Sequence, residues 1–441
     1  MYLTPELKEI GRRNFWNAVT GAPALEALSG KVAKQGPRRG GRVKIALVGA
    51  GGEGKLLLSV CEKGWVDLRA ICDINPKHAA AAAEGMAEKG WDKPRTYQDL
   101  KQMLEKEDLE AVLIATPLWT HADITTACLD AGKHVLCEKM MAWDVDGCQR
   151  MVAAARKNKR VLEIGYQRFW SPIYQAAYDR IGSKGLLGDI HYARVIWHRN
   201  KSWRRTQDPP SPDFDPRAWG YDSWEHLVNW RLYNKYSRGL LAELGSHQIS
   251  IVNWFFGATP TAVYTSGGVH RWTGEKREVM DHVYSTFEYP GDRTALFTSI
   301  ESNAFEDTYE EINGTDGTLL FRGSEGYLFY EAADKEKLEA ATGPGKPPEG
   351  FSMEGRLAYR NEVAGFCAAI RHGTPLMCGP DKAFGSAASC IRAQEAGTEK
   401  TRLTLDVVES KEGPSSPKHA ASGATGAGKA AWDKSHANVA R

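Results

Sequence analysis

The 441-residue sequence predicts an α/β first domain on a doubly wound parallel sheet, followed by an α+β domain with a large, mainly antiparallel open sheet. Three observations carry this expectation. GRVKIALVGAGGEG, 41–54, places a strand that is apolar on both faces against a glycine-rich turn, as in a strand covered by helices on each side. Apolar strands and helical segments then alternate as far as residue 166. From 188 onward long β-rich runs take over.

Composition sets outer limits. With 42% hydrophobic and 25% charged residues the chain is ordinary for a globular protein of two domains. Lys+Arg 57 against Asp+Glu 55 leaves a formal charge of +2, which argues against a nucleic-acid partner. PRRGGR, 37–42, reads as a solvated turn rather than a phosphate patch. No stretch reaches the roughly 20 apolar residues of a membrane span. The eight cysteines show neither CxxC nor metal-ligand spacing and mostly lie in apolar runs, so buried thiols and no metal are expected.

Residues 1–41 read as an N-terminal tail. GRRNFW, 11–16, followed by NAVTGAPALEALSG, is similar to a twin-arginine export signal, but the apolar segment is short, Glu26 interrupts it, and no clear small-residue cleavage site follows. A cytoplasmic protein with an uncleaved tail is the expectation, and export to the periplasm the alternative.

The nucleotide-type domain spans 42–166. Its elements run strand 43–48, helix 55–64, strand 66–73, helices 76–90 and 97–106, strand 110–116, helix 121–132, strand 134–139, helix 145–159 and strand 161–167. The second domain spans 167–408. Its strand-like runs are 189–200, 261–272, 282–290, 293–302, 318–323 and 327–332, interrupted by the helical stretch 239–257 and closed by helical segments 354–372 and 380–398. Residues 409–441 are rich in Gly, Ala, Ser, Lys and Pro and read as disordered.

Gly49, Gly51 and Gly54 form GxGxxG between strand and helix, with Gly52 and Glu53 inside the turn. Lacking Cβ atoms, the turn tightens, the backbone approaches a pyrophosphate, and the helix N-terminus aims its N–H groups at that charge. Asp73 ends the second strand, where a carboxylate accepts from both ribose hydroxyls; this favours NAD over NADP, since a 2′-phosphate would be repelled and Ile74 and Asn75 offer no arginine. The plainer role for Asp73 is a turn or cap before Asn75-Pro76, and both roles are compatible. Thr116, Pro117 and His121 fall at the carboxyl edge of the sheet, where open α/β sheets bind ligands.

With GxGxxG, the acid after the second strand, ATPxxxH and GKHVLCEK in this order, residues 42–405 resemble the glucose-fructose oxidoreductase / inositol dehydrogenase (Gfo/Idh/MocA) family. SRGLLAELGSHQISIVNW resembles that family's GGxxxDxGxHxxD helix. The resemblance implies a nicotinamide cofactor and oxidation or reduction of a sugar or polyol carbon. It also implies that Glu138 and Lys139 lie beside the nicotinamide and that Lys139, Glu243 and His247 form a Lys-acid-His set. Chemistry agrees, because moving hydride from an alcohol carbon needs a base for the hydroxyl proton and a cation for the developing alkoxide. Glu243 and His247 are four apart on a helix, so the carboxylate is expected to hold the imidazole's tautomer; a surface Glu-His pair is the plainer outcome. Three departures stand out: Met140 for the proline of EKP, Glu243 for Asp, and Ser250 for the last Asp. Losing the proline frees Lys139 from the geometry a following proline imposes.

Arg168 resembles the family's GxxxRF position, and Trp170, His198 and Arg199 have sugar-binding character, as do Trp197 and Trp203. The proline-rich loop 201–226 is too long for a simple connection and leads to Trp230, Arg231 and Tyr236, further candidates for the substrate pocket. Core packing is the alternative for each. The expected function is NAD-dependent transfer of hydride at a secondary hydroxyl or ketone of a sugar, glycoside or polyol. One rival is a redox-neutral glycosidase or lyase that oxidises C3 transiently and eliminates; another is a non-catalytic NAD-binding protein. A homo-oligomer, dimer or tetramer, is expected through the open sheet.

Overall fold

VKIALV is buried on nearly every residue, and that burial places it at the centre of a sheet. In the computed structural model, which describes residues 3–23, 25, 40–209, 211, 214–331, 345–347 and 356–405, the strands β1 (Val43–Val48), β2 (Val66–Cys72), β3 (Arg95–Tyr97), β4 (Ala111–Ile114), β5 (His134–Glu138) and β6 (Leu162–Gly165) are all parallel, in the order 3-2-1-4-5-6. The order reverses between β1 and β4, and the crevice at their carboxyl ends is where such sheets bind ligands. Helices α2 (Gly52–Val60), α3 (Pro76–Glu88), α4 (Leu100–Lys106), α5 (His121–Asp130) and α6 (Val145–Asn158) cover it. Their starts are set locally: Asn75, Asp99 and Asp144 accept backbone N–H bonds at 3.0, 2.6 and 2.6 Å as N-caps of α3, α4 and α6.

After a short helix α7 (Pro172–Ala177), the second sheet comprises β7 (Ile190–His198), β8 (Ala262–Gly268), β9 (His282–Tyr289), β10 (Arg293–Ile300), β11 (Thr308–Gly314), β12 (Gly317–Arg322), β13 (Glu325–Tyr330) and β14 (Arg402–Thr404). Their order is 13-12-11-7-10-9-8-14, antiparallel except for the pair β7 and β10. The predicted open sheet is therefore present. Its strand β11 escaped the sequence reading because TYEEING carries two adjacent glutamates. Glu310 is nonetheless buried: Arg168 pairs with it, Tyr174 donates to it at 2.7 Å, and Gln248 donates at 3.1 Å. Helix α8 (Trp224–Val228) lies in the long loop, and α9 (Ser246–Phe256) packs on the sheet, its C-terminus closed by Gly257 at φ 61°.

Two boundary expectations are corrected. The segment read as closing the second domain, α10 (Leu357–His372), packs Val363, Ala364, Phe366 and Cys367 with Val43, Ile45 and Leu47 of the parallel sheet. Arg371 fastens it with bonds of 2.9 and 2.6 Å to Glu110. The first sheet has an apolar face its own helices leave uncovered, and a returning helix buries it. The following helix, α11 (Pro380–Glu399), joins α9 and β8 instead. The terminal segment 409–441 lies outside the described residues.

The tail is corrected in its first part. Residues 5–19 form α1 (Pro5–Val19), capped by Thr4 with Pro5 at the first turn, and it lies along edge strand β13. Asn14 donates to the Leu328 carbonyl at 3.2 Å, satisfying an edge group, and Phe15 is fully buried over Gly326 and against Phe321. GRRNFW is thus part of the fold's edge. Phe15→Ala is expected to lower unfolding free energy by about 3 to 5 kcal/mol, read by urea denaturation; a mere tail would give no change.

Candidate active site and nucleotide cradle

The turn after β1 explains its own glycines. Gly49 has φ 93°, and a Cβ there would lie 2.6 Å from the Ala115 carbonyl oxygen; one on Gly54 would lie 1.9 Å from that of Gly49. At Gly51 and Gly52 a Cβ would meet open space, and α2 begins there with no side-chain cap. Free helix N–H groups beside an open, Cβ-free surface fit a pyrophosphate. Glu53 occupies the first turn of α2.

Asp73 ties this turn to the end of β2. Its Oδ2 accepts from Ala50 N at 2.7 Å and its Oδ1 from Asn75 N at 2.7 Å, while His78 Nδ1 lies 3.9 Å away. Burial pushes the carboxyl up, against the two backbone bonds that pull it down. The local turn role and an outward role coexist, since each carboxylate oxygen keeps a second lone pair. Asp73→Ala is expected to raise the dissociation constant for NAD about 10- to 100-fold by calorimetry; an unchanged constant would leave the residue only its turn role.

His121 is the first residue of α5. It is buried, with Nδ1 2.9 Å from the Met140 carbonyl and Nε2 2.9 Å from that of Thr116, next to Pro117. Burial holds this imidazole below its ordinary 6.5. The ring joins the loop after β4 to the residue following Lys139.

Lys139 extends from the end of β5, and its Nζ donates to the Glu243 carbonyl at 3.1 Å; the Lys139–Met140 peptide is cis. Behind it Glu138 is buried, with Oε2 accepting from Lys139 N at 3.2 Å and Oε1 without a partner among the described residues. Burial, then the nearby Glu53, pushes Glu138 up to about 8.

Glu243 sits in a single π turn, Leu241–Gly245, that runs into α9, an irregularity common at functional sites. Its expected partner is corrected. Oε2 accepts from Arg231 Nε at 2.7 Å, and His247 Nδ1 is buried with no partner among the described residues. A guanidinium forms a charge-assisted bond that a neutral imidazole cannot match. Burial raises and Arg231, then Lys139, lower the Glu243 carboxyl, with a net fall below 4.5. His247 goes the other way: burial first, then Lys139 and Arg168, hold it well below 6.5, so the ring is neutral at pH 7. Ser250 turns its hydroxyl onto the His247 carbonyl at 2.8 Å.

Among the substrate candidates, Arg168 and Arg231 reach this centre. The Arg168 guanidinium lies 5.6 Å from the Trp197 ring centroid, and Trp197 lies 5.8 Å from the His247 ring. Trp230 stacks under Arg231 at 4.3 Å. Arg199, on the same face as Trp197, is spent on Glu301 at 2.5 Å and on the Trp203 ring. Three candidates are corrected. His198 falls on the opposite face of β7, bonded to Thr298 at 2.9 Å, because strand neighbours alternate faces. Trp170 is buried against Gly365 and gives its indole N–H to Glu163 at 2.9 Å. Tyr236 is fully buried with Trp119 and Tyr221. Sequence reasoning missed Glu310, which anchors Arg168, and the parity of β7 was the signal that could have removed His198.

Loop 201–226 crosses to the nucleotide domain. Gln207 Nε2 lies 2.7 Å from His78 Nε2, and Trp119 Nε1 donates to Tyr221 OH at 3.1 Å. These contacts put it over the edge that Asp73 and His78 form.

The family model described as "Oxidoreductase family, NAD-binding Rossmann fold" matches residues 43–166, and "GFO/IDH/MocA C-terminal domain" matches 174–320. The inositol 2-dehydrogenase of Rhizobium meliloti is 25% identical over 371 residues, covering 82% of this chain and 99% of the relative. The 1,5-anhydro-D-fructose reductase of Ensifer adhaerens is 25% identical over 309 residues, covering 69% and 82%. A levoglucosan dehydrogenase solved with NADH superposes with a TM-score of 0.65 at 19% identity, covering 82% of this chain and 99% of that one.

Proposed function

Since the chain belongs to the Gfo/Idh/MocA family of NAD-binding oxidoreductases, we propose that it moves a hydride between NAD and a secondary hydroxyl or ketone of a sugar, glycoside or polyol. The observation that carries this reading is the meeting of Lys139 from the first domain with Glu243, Arg231 and a neutral His247 from the second. NAD supplies the hydride acceptor when bound, and Gly51, Gly52 and Asp73 are the residues that would hold it. Lys139 places a positive charge where alkoxide develops, and His247, with its base form favoured, takes the hydroxyl proton. Glu243 does not orient His247. Its carbonyl holds Lys139 and its carboxylate holds Arg231, so it positions the two cations.

A panel of sugars, glycosides and polyols with NAD, followed by nicotinamide absorbance and product analysis together, tests the proposal. Reduced nicotinamide accumulating with a ketone product supports it. The contacts of loop 201–226 at the ribose edge favour a second reading, in which NAD stays bound and a glycoside is cleaved without net redox change; free sugar released with no absorbance change would select it.

The compartment is read as cytoplasmic, since α1 is built into the fold. No helix among the described residues is long and apolar enough to cross a membrane. Tyr264 and Tyr284 stand 46% and 49% exposed on adjacent strands β8 and β9, an aromatic pair on the open sheet suited to meet a second copy.

A further inference from the structure

We propose that residues 216–236 form a strap across the cofactor crevice and that Trp119 and Tyr221, which latch it, set the rate at which NAD(H) enters and leaves; this rests on the cofactor reading above and holds for either reaction. The sheet order supplies the geometry. β2 and β4 flank β1, so the glycine turn after β1 lies between their carboxyl ends. The strap's buried Tyr221, Leu232, Tyr233 and Tyr236 pack with Ile74, next to Asp73 at the end of β2, and with Trp119, two residues past Pro117 in the loop after β4. A cluster that rests on both neighbours of β1 spans the turn between them, the turn whose glycines fit a pyrophosphate.

The latch is specific. Trp119 Nε1 donates to Tyr221 OH at 3.1 Å, the two rings meet edge to face with centroids 5.3 Å apart, and the Tyr236 ring lies 5.6 Å from Trp119. Gly220, at φ 82°, brings the strap's backbone onto the indole, since a Cβ there would lie 2.5 Å from Trp119 Cη2. Within itself the strap is firm. Asp222 N donates to Tyr236 OH at 3.0 Å, Ser223 caps α8, and buried Asn229 accepts from Arg205 N at 2.7 Å while donating to the Arg205 carbonyl at 3.1 Å and to Glu225 at 3.0 Å. Its hold on the nucleotide domain is lighter: among the described residues one hydrogen bond, from Trp119, and the ring and apolar contacts around it. A firm segment with few anchors swings as a unit, so the latch contacts, rather than unfolding, set the barrier to opening.

Stopped-flow NADH fluorescence on the full chain tests the assignment: mixing with NADH gives the association rate constant, and a chase with excess NAD gives the dissociation rate constant. Trp119→Ala is expected to speed dissociation about 10- to 100-fold. Tyr221→Phe keeps the ring and removes only the bond, and should speed it about 2- to 10-fold. Association should quicken in both variants, because a strap obstructs entry as well as exit, so Kd moves less than the dissociation rate does. Where Trp119→Ala does not fold, Tyr221→Phe alone decides. Dissociation unchanged in the variants overturns the proposal; so does faster dissociation with association unchanged, which would make these residues direct contacts of the cofactor. If the wild-type chain binds no NADH, the cofactor reading fails and the strap with it. NADH that binds and exchanges alike in wild type and variants sinks only the strap.

Discussion

Lys139→Ala is expected to lower kcat for substrate oxidation by about 10²- to 10⁴-fold while NAD still binds. The ammonium is the cation from the nucleotide domain that meets the π turn, where it donates to the Glu243 carbonyl at 3.1 Å. A carbonyl is a poor partner for a full charge, so the lysine remains available to an oxygen that becomes negative as hydride departs. That interaction strengthens toward the transition state, so its loss falls on kcat rather than on ground-state binding. Lys139→Arg keeps the charge but changes its shape and reach, and should recover only part of the rate. Stopped-flow absorbance at saturating substrate gives kcat, and calorimetry gives NAD affinity. A kcat within a few-fold of wild type in Lys139→Ala would remove the lysine from the mechanism.

His247→Asn is expected to cost about 10²-fold or more in kcat/KM for oxidation, and the wild-type pH profile identifies the ring. Burial, then repulsion from Lys139 and Arg168, favours neutral imidazole, so the base form dominates at pH 7. Protonation sets in only as pH falls well below 6.5, and the acid limb of kcat/KM should lie there. The reverse reaction needs the protonated ring and should gain on acidification. In His247→Asn the acid limb should flatten, which a merely structural residue would not cause. A limb centred at or above 6.5, or one that persists unchanged in the variant, contradicts the assignment.

Much of this site was legible because its signals are local. The glycine turn is legible since a strand, a turn and a helix N-terminus follow one another within 12 residues, and backbone sterics alone demand Gly49 and Gly54. Lys139, Glu243 and His247 were found through motif order. The errors have a common form. Glu243 was given to His247, its neighbour on the helix, whereas Arg231 from the preceding segment took it. His198 was chosen for its chemistry and lost to strand parity. Trp170 and Tyr236 were chosen as aromatics and found partners in the core. The glutamates of β11 hid a strand because a buried carboxylate is invisible as such until Arg168 is beside it.

Backbone periodicity, turn chemistry and capping are properties of short stretches, and so the sequence by itself determined the two sheets, the nucleotide turn and the lysine at its edge. Which charge faces which is not a local property. Arg168 and Glu310 are 142 residues apart, Lys139 and the Glu243 carbonyl 104, and α10 returns to the first sheet from the far end of the chain. A buried ion takes the best-placed counter-charge in space, because leaving it unpaired in a low-dielectric interior costs more than any sequence neighbour can offset. Only the tertiary structure therefore decided that Glu243 serves two cations and that His247 stands neutral, its Nδ1 unpaired among the described residues.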